Sequence, residues 1–503
     1  MNESIDGSNF AATKVENSSA ILLIACVAQF MVVLDISVIN VALPTIQRSL
    51  HFSNANLQWT INAYTIAFAG FLLLGGRAAD IFGRKKIFLL GLGMFTTASL
   101  LGGFSQNQSE LIVARSFQGL GGAVLSPATL TIIITTFRSN AAKTKALGIW
   151  GAVAAAGGAA GALVGGVLTD LVSWRWILFI NVPIGIVCFL AASVFVSEYR
   201  NTSASRKLDI FGSILITSGL SLGIYSIVNT DTVSWTSPVT VGLLAVSIAI
   251  IVGFVIYEIK FAISPIIPFS MFKIRSLSLS NLCMLTMSAS AFSMWYFLTL
   301  YMQDILHFSP LKTGFAFLPQ TIMISVGAIL SGRLIPKIGY KVFLLTGPIL
   351  ALIGFMWLSS VNTHSTYMSV ILVPSMLITL GIGFTFAPAA AAATDGVPKE
   401  LAGFASGVLN SSRQIGGAIG LAALVTVSLD ISKLTGSNTN FTVHQVAAII
   451  HGWSIAYIIA GFIAISALLF AIGLPKHKKE KYLISDDTND AGKNDLDFLV
   501  VLE

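Results

Sequence analysis

Charge is what this sequence most lacks. Only 10% of its 503 residues are Asp, Glu, Lys or Arg, whereas 55% are hydrophobic. Soluble domains carry roughly 25% charged residues, so too few polar groups remain to cover a water-facing surface. Cysteine is scarce as well. Cys26, Cys188 and Cys283 each fall inside an apolar run with no CxxC spacing, and they read as small buried hydrophobes, neither a disulfide framework nor a metal site. The six histidines (His51, His307, His364, His444, His451, His477) lie in loops or near the ends of apolar runs, without metal-ligand spacing. No G-x4-G-K-[ST] segment occurs, which argues against ATP-driven work by this chain alone. No catalytic residue, metal or cofactor is therefore expected, and no enzyme. The first eighteen residues are polar with a single Lys, so no cleavable signal peptide is evident.

What is present is a repeated apolar run. A bilayer core needs roughly 20 such residues per helix. Runs of that kind fall near 19–41, 56–76, 87–105, 110–134, 145–168, 177–198, 210–229, 237–257, 277–301, 313–335, 342–360, 367–391, 404–428 and 451–473. The expected fold is an all-α membrane bundle of about fourteen transmembrane helices with no soluble domain of any size.

A net charge of +7 is compatible with nucleic acid, but its distribution argues for topology. With the amino terminus in the cytoplasm, 23 of the 29 Lys and Arg fall on cytoplasmic segments. Arg48, Arg175, Lys312 and Lys433 fall outside, and Arg115 and Arg413 lie within spans. That is the positive-inside rule obeyed at nearly every loop. It predicts a multi-pass protein of the cell membrane with both termini cytoplasmic, and no nucleic-acid partner.

Two loops repeat. Gly76-Arg77-Ala78-Ala79-Asp80-Ile81-Phe82-Gly83-Arg84-Lys85 follows the second span, and Gly332-Arg333 to Gly339-Tyr340-Lys341 follows the tenth. Both read G-R-x5-G-x-K, which points to two halves of similar build. The predicted division is a tail at 1–18, a six-helix half at 19–198, linkers with an inserted helix pair at 199–276, a second six-helix half at 277–473, and a mixed-charge tail at 474–503.

Asp35 is the one acid deep in a span. Glu110, Glu198, Asp209 and Glu258 come nearest, each close to an interface. A carboxylate at depth costs roughly 2.5–3.5 kcal/mol on insertion scales and is functional by default, although it can also serve simply to pair with a neighbouring helix. Desolvation and a nearby cation pull its proton affinity in opposite directions, so it is a candidate proton or cation site. Arg115 in the fourth span lies at similar depth and is its expected partner, unless it snorkels to the outer interface. Arg413 sits nearer mid-depth, where snorkelling is harder. It is expected to face an aqueous cavity with Asn410 and Gln414, and Asn40, Tyr64, Gln118, Trp295, Tyr296 and Phe384 are further cavity candidates. In the fifth span, Gly157, Gly161, Gly165 and Gly166 provide a small-residue face for close helix packing.

These residues resemble the major facilitator superfamily, and within it the fourteen-span drug:proton antiporters, over about residues 20–475. Gly76-x3-Asp80-x2-Gly83-Arg84-Lys85 is similar to the superfamily's loop signature, with Ile81 where a basic residue is common. Leu34-Asp35-Ile36-Ser37-Val38-Ile39-Asn40-Val41-Ala42-Leu43-Pro44 resembles the first-span signature of the drug exporters. Leu111-x3-Arg115-x2-Gln118-Gly119-x-Gly121 resembles the fourth-span motif whose Arg is implicated in proton coupling. Gly157-x3-Gly161-Ala162-x2-Gly165-Gly166 resembles the antiporter motif, with Ala162 where members usually carry Pro. The resemblance implies a proton-coupled exporter of amphipathic or cationic drugs, with Gly76, Arg77, Asp80, Gly83, Arg84 and Lys85 as a gating loop. The partners implied are a small-molecule substrate, protons and the lipid bilayer, and no partner protein is indicated. A proton-coupled symporter or a facilitator importing a small metabolite would use the same fold, and a non-transporting receptor or scaffold is a third class.

Overall fold

The computed structural model describes residues 18–137, 139–198, 208–263, 265–398, 401–436 and 443–475. The expected tails lie outside these residues, apart from Ser18 at one end and residues 474–475 at the other. Fourteen helices among them are long and apolar enough to cross a bilayer. In hydrocarbon every backbone N–H and C=O must be satisfied within the chain, which a helix does by itself.

In chain order the first half holds α1 (Ser18–Leu50), α2 (Trp59–Phe82), α3 (Arg84–Gly103), α4 (Gln108–Thr136), α5 (Asn140–Leu171) and α6 (Asn181–Phe195). The central pair is α7 (Ile210–Val228) and α8 (Pro238–Lys260). The second half holds α9 (Arg275–Leu300), α10 (Pro310–Ile338), α11 (Tyr340–Leu358), α12 (Leu372–Thr394), α13 (Ala402–Gly436) and α14 (Val443–Gly473). Short π-helical turns extend α9 through Tyr301–Ile305 and precede α12 at Tyr367–Ile371. Most of the described connections are short, and successive helices run antiparallel. We call the side where α1 begins the near face and the opposite side the far face.

Helix ends depart from the hydropathic estimates most at α1, which runs nine residues past 41 and carries Pro44 inside it. Apolar composition marks the hydrocarbon layer, whereas backbone hydrogen bonding carries the helix onward into the polar zone.

The repeated loops fold alike. Gly83 turns from α2 into α3 with φ of +108°, and Gly339 turns from α10 into α11 with φ of +81°. Only glycine adopts such backbone angles without strain. Two residues later a lysine caps the sixth helix of its own half. Lys85 Nζ donates to Ser193 O at 2.6 Å, and Lys341 Nζ donates to Ile472 O and Leu474 O at 2.7 Å. A cation is favourable at a helix C-terminus, where carbonyls are left without helical partners.

The central pair joins both halves. Its two helices pack on each other, and α7 also packs on α2 and on α13. Trp235 Nε1 donates to Asp430 Oδ2 at 2.7 Å, tying the α7–α8 link to α13. At the near-face foot of the pair, Asp209 caps α7 by accepting from Gly212 N at 2.8 Å. Glu258 there accepts from Ile266 N and Ile267 N. The outer face of α8 exposes Val241, Val246, Ile248, Val252 and Ile259, as expected of a helix facing lipid.

Candidate functional site

Asp35 lies in α1 with no exposed surface, and Arg115 in α4 is 1% exposed. The guanidinium reaches across from α4, and its Nη1 lies 2.6 Å from Asp35 Oδ2. The same Nη1 donates to Gln118 Oε1 at 2.7 Å, and Nε donates to Thr60 O at 3.0 Å. The second carboxylate oxygen, Oδ1, accepts from Gln118 Nε2 at 2.7 Å and from Asn181 Nδ2 at 3.0 Å. Both amides also donate to Ser99 Oγ, which in turn donates to Leu178 O at 2.8 Å. Tyr64 completes the cluster, its ring 4.5 Å from the guanidinium carbon, and its buried hydroxyl has no hydrogen-bond partner. Residues of five helices of the first half meet in this network, and three of those helices, α1, α4 and α6, meet at the carboxylate itself. Two opposite charges held this closely out of water are stabilised only because donors fill the remaining lone pairs.

A cavity of about 460 Å³ lies between the halves, bounded by α1, α2, α4 and α5 on one side and α9, α10, α12 and α13 on the other. On α1 it is lined by Gln29, Val32, Val33, Ile36, Ser37, Asn40 and Val41. That is one helical stripe at spacings of three and four residues. Asp35 is off this stripe and points back into its own half, so the carboxylate and the cavity occupy different faces of one helix. Gln118 stands off the wall with it. Tyr64 does too, because its ring is committed to Arg115. Tyr296 is turned toward the far face, where its hydroxyl donates to Asn54 O at 3.3 Å. Phe384 packs edge-on against Phe343. These four candidates therefore do not line the cavity. Asn40, Trp295, Asn410, Arg413 and Gln414 do, together with Trp150, Phe292, Phe317 and Phe386.

The cavity is closed toward the far face. A Cβ on Gly314 of α10 would lie 2.5 Å from Ala162 O of α5, and one on Gly166 would lie 2.7 Å from Pro310 O. Gln303 Nε2 donates to Val41 O at 2.7 Å across the same end. Gly157, Gly161 and Gly165 seat α5 on α1, where a Cβ would lie 3.1 Å from Phe30 O, 2.5 Å from Ser37 Cβ and 2.9 Å from Val38 O. Toward the near face the contact between α5 and α10 is not continued. Gly148 and Gly151 of α5 and Gly332 of α10 have no such neighbour within 4 Å.

In the near-face loop, Arg84 pairs with Asp80 at 3.4 Å and Arg77 donates to Pro265 O at 3.2 Å. Gly76 faces Pro127, 3.5 Å from where a Cβ would stand. Glu198, at the foot of α6, accepts from Lys86 N at 3.2 Å and so caps α3. Sequence reasoning singled out neither Ser99 nor Asn181 for this site, and it read Glu198 as an interface acid only. A polar Asn at the head of an apolar run is a weak signal, and hydroxyls in apolar helices are common.

A many-helix bundle with two similar halves, a cavity between them and closure at one end is the architecture of a membrane transporter. A sequence profile described as the Major Facilitator Superfamily matches residues 25–421. The chain belongs to this superfamily. It is 41% identical over 438 residues to the cephamycin export protein CmcT of Amycolatopsis lactamdurans, covering 87% of this chain and 89% of that protein. It is 37% identical to the puromycin resistance protein pur8 of Streptomyces alboniger, covering 89% and 90%. The tetracenomycin C resistance and export protein of Streptomyces glaucescens is 33% identical, covering 80% and 74%. Among solved structures, a bacterial homologue of the human lysosomal transporter Spinster superposes with a TM-score of 0.65 at 13% identity, covering 91% of this chain and 98% of that one.

Proposed function

We propose that this chain is a drug:proton antiporter of the cell membrane, working by alternating access with both termini in the cytoplasm. Relatives named for the export of cephamycin and for resistance to puromycin and tetracenomycin C support drugs as cargo and export as direction. The excess of Lys and Arg in near-face loops supports the near face as cytoplasmic. A cavity open to that side is the state that loads cargo from within the cell, and the cargo leaves chemically unaltered.

The observation that carries the coupling is the placement of Asp35 on α1, opposite the cavity stripe. Protonation of the carboxyl removes its charge and releases Arg115 from the ion pair. The network around it must then re-form, and α1, α2 and α4 each carry both network residues and cavity wall, with the carboxylate itself on α1. The protonation state thus biases how α1 sits against α5 and the second half, a two-state element shifted by differential interaction. Protons reaching the network from the acidic outside and leaving to the cytoplasm would turn the cycle toward export. Reconstitution into proteoliposomes with an imposed pH gradient tests this. Cargo should move against the proton flux, and cargo moving with the protons would make the chain a symporter.

A further inference from the structure

The charge on the cavity wall is of one sign. Among the described residues lining it, Arg413 of α13 is the only one with a formal charge. The nearest acid on α1, Asp35, faces away and is committed to Arg115, Gln118 and Asn181. Arg413 pairs with no carboxylate among the described residues, and its Nε is buried without a hydrogen-bond partner. Arg413 is partly buried, an uncompensated and partly desolvated cation favours a counter-ion, and an anion entering the cavity would supply it. Its surroundings suit such a ligand. Asn410 and Gln414 flank it on the same wall and bring amide donors. Phe386 has its ring centroid 5.8 Å from the guanidinium carbon, and Phe292 and Trp295 lie 6.5 Å apart as a second aromatic surface.

We propose that the cavity selects amphipathic anions, docking a carboxylate or sulfonate on Arg413 and an aromatic or aliphatic body between Phe386, Phe292 and Trp295. The guanidinium fork matches a planar carboxylate through two parallel hydrogen bonds, which an ammonium cannot do. A cationic ligand meets like charge here, with no acid among the described residues of the wall to compensate. The inference rests on the reading of this cavity as the cargo site, and it narrows the cargo from cationic or amphipathic drugs to the anionic ones.

The test uses three probes that share one body: 1-naphthylacetate, 1-naphthylethylamine and 1-naphthylethanol. Calorimetric titration of the purified full chain gives three affinities, and the wild-type comparison depends on no variant folding. The acetate should bind at least about tenfold more tightly than the amine, the scale of one charge-assisted hydrogen-bonded pair. Arg413→Gln should reduce that ratio to about twofold or less and weaken the acetate more than the alcohol. Arg413→Lys should retain part of the preference. Equal or tighter binding of the amine by wild type would overturn the inference, as would unchanged acetate binding by Arg413→Gln. Proton-driven efflux of the alcohol from proteoliposomes separates the two readings. If the alcohol moves and no anion preference exists, export stands and the selectivity falls. If no naphthyl probe binds or moves, both fall.

Discussion

At the scale of single residues, Asp35 and Arg115 are stabilised only as a pair. Asp35→Asn cannot take up a proton, so it should abolish proton-driven transport in proteoliposomes. It also leaves Arg115 charged and buried, and losing one partner of such a pair costs on the order of 3–5 kcal/mol. The variant should therefore unfold at a clearly lower temperature in detergent. Adding Arg115→Gln removes the orphaned charge and should restore most of that stability without restoring coupling. A double variant no more stable than Asp35→Asn would show that the lost stability does not come from the orphaned charge of Arg115. The pairing itself was legible from sequence, because two charges at similar depth in apolar spans have few alternatives. The donors around them were not. Gln118 stood out only as a cavity candidate, and Ser99 and Asn181 look ordinary until five helices bring them to one point. Nor does sequence disclose that Asp35 lies off the lining stripe of α1, since that depends on how the helix is rotated against its neighbours.

At the scale of elements, the contact between α5 and α10 decides which side of the cavity is shut. Gly166→Val would drive a side chain into the Pro310 carbonyl, so the far ends of α5 and α10 must part. Gly148→Val meets open space and should change little. In a background where Cys26, Cys188 and Cys283 are replaced by Ala, a cysteine at Ser325 reports access to the cavity. Gly166→Val should lower its labelling by an impermeant maleimide from the near face, the ratio of near-open to far-open molecules falling about tenfold for each 1.4 kcal/mol of population shift. Equal labelling of the two glycine variants would separate this contact from gating.

The near-face loop is a second element. Asp80 is the acid that Arg84 holds, beside the turn at Gly83. Asp80→Asn should leave expression intact and abolish net transport, measured as efflux at matched protein level. Normal efflux would remove the loop from the gate. The small-residue face and the repeated loop were both readable from spacing. Which helix each glycine would meet was not, because a glycine row fits any close neighbour.

At the scale of the whole molecule, the count of spans followed from hydropathy, while the place of the central pair required the packing of α7 on α2 and α13. The near-face loops carry most of the Lys and Arg, so reporter fusions after Lys143, Arg206 and Lys476 should read as cytoplasmic, and one near Asn107 as external. Arg206 and Lys476 lie outside the described residues, which makes them independent checks on the path of the chain. Arg206 and Asn107 reporting the same side would break the alternation.

The charge that Arg413 places on the cavity wall also has an electrical consequence. A carrier that admits one proton and expels one monovalent anion moves two positive charges inward per cycle. The membrane potential then contributes roughly 2.3 kcal/mol per charge for each 100 mV, in addition to the pH gradient. Exchange of a proton for a monovalent cation would move no net charge and feel no such term. The sign of Arg413 therefore carries through to bioenergetics: collapsing the potential with valinomycin and potassium at fixed pH gradient should slow efflux of an anionic cargo and leave that of a cationic one untouched.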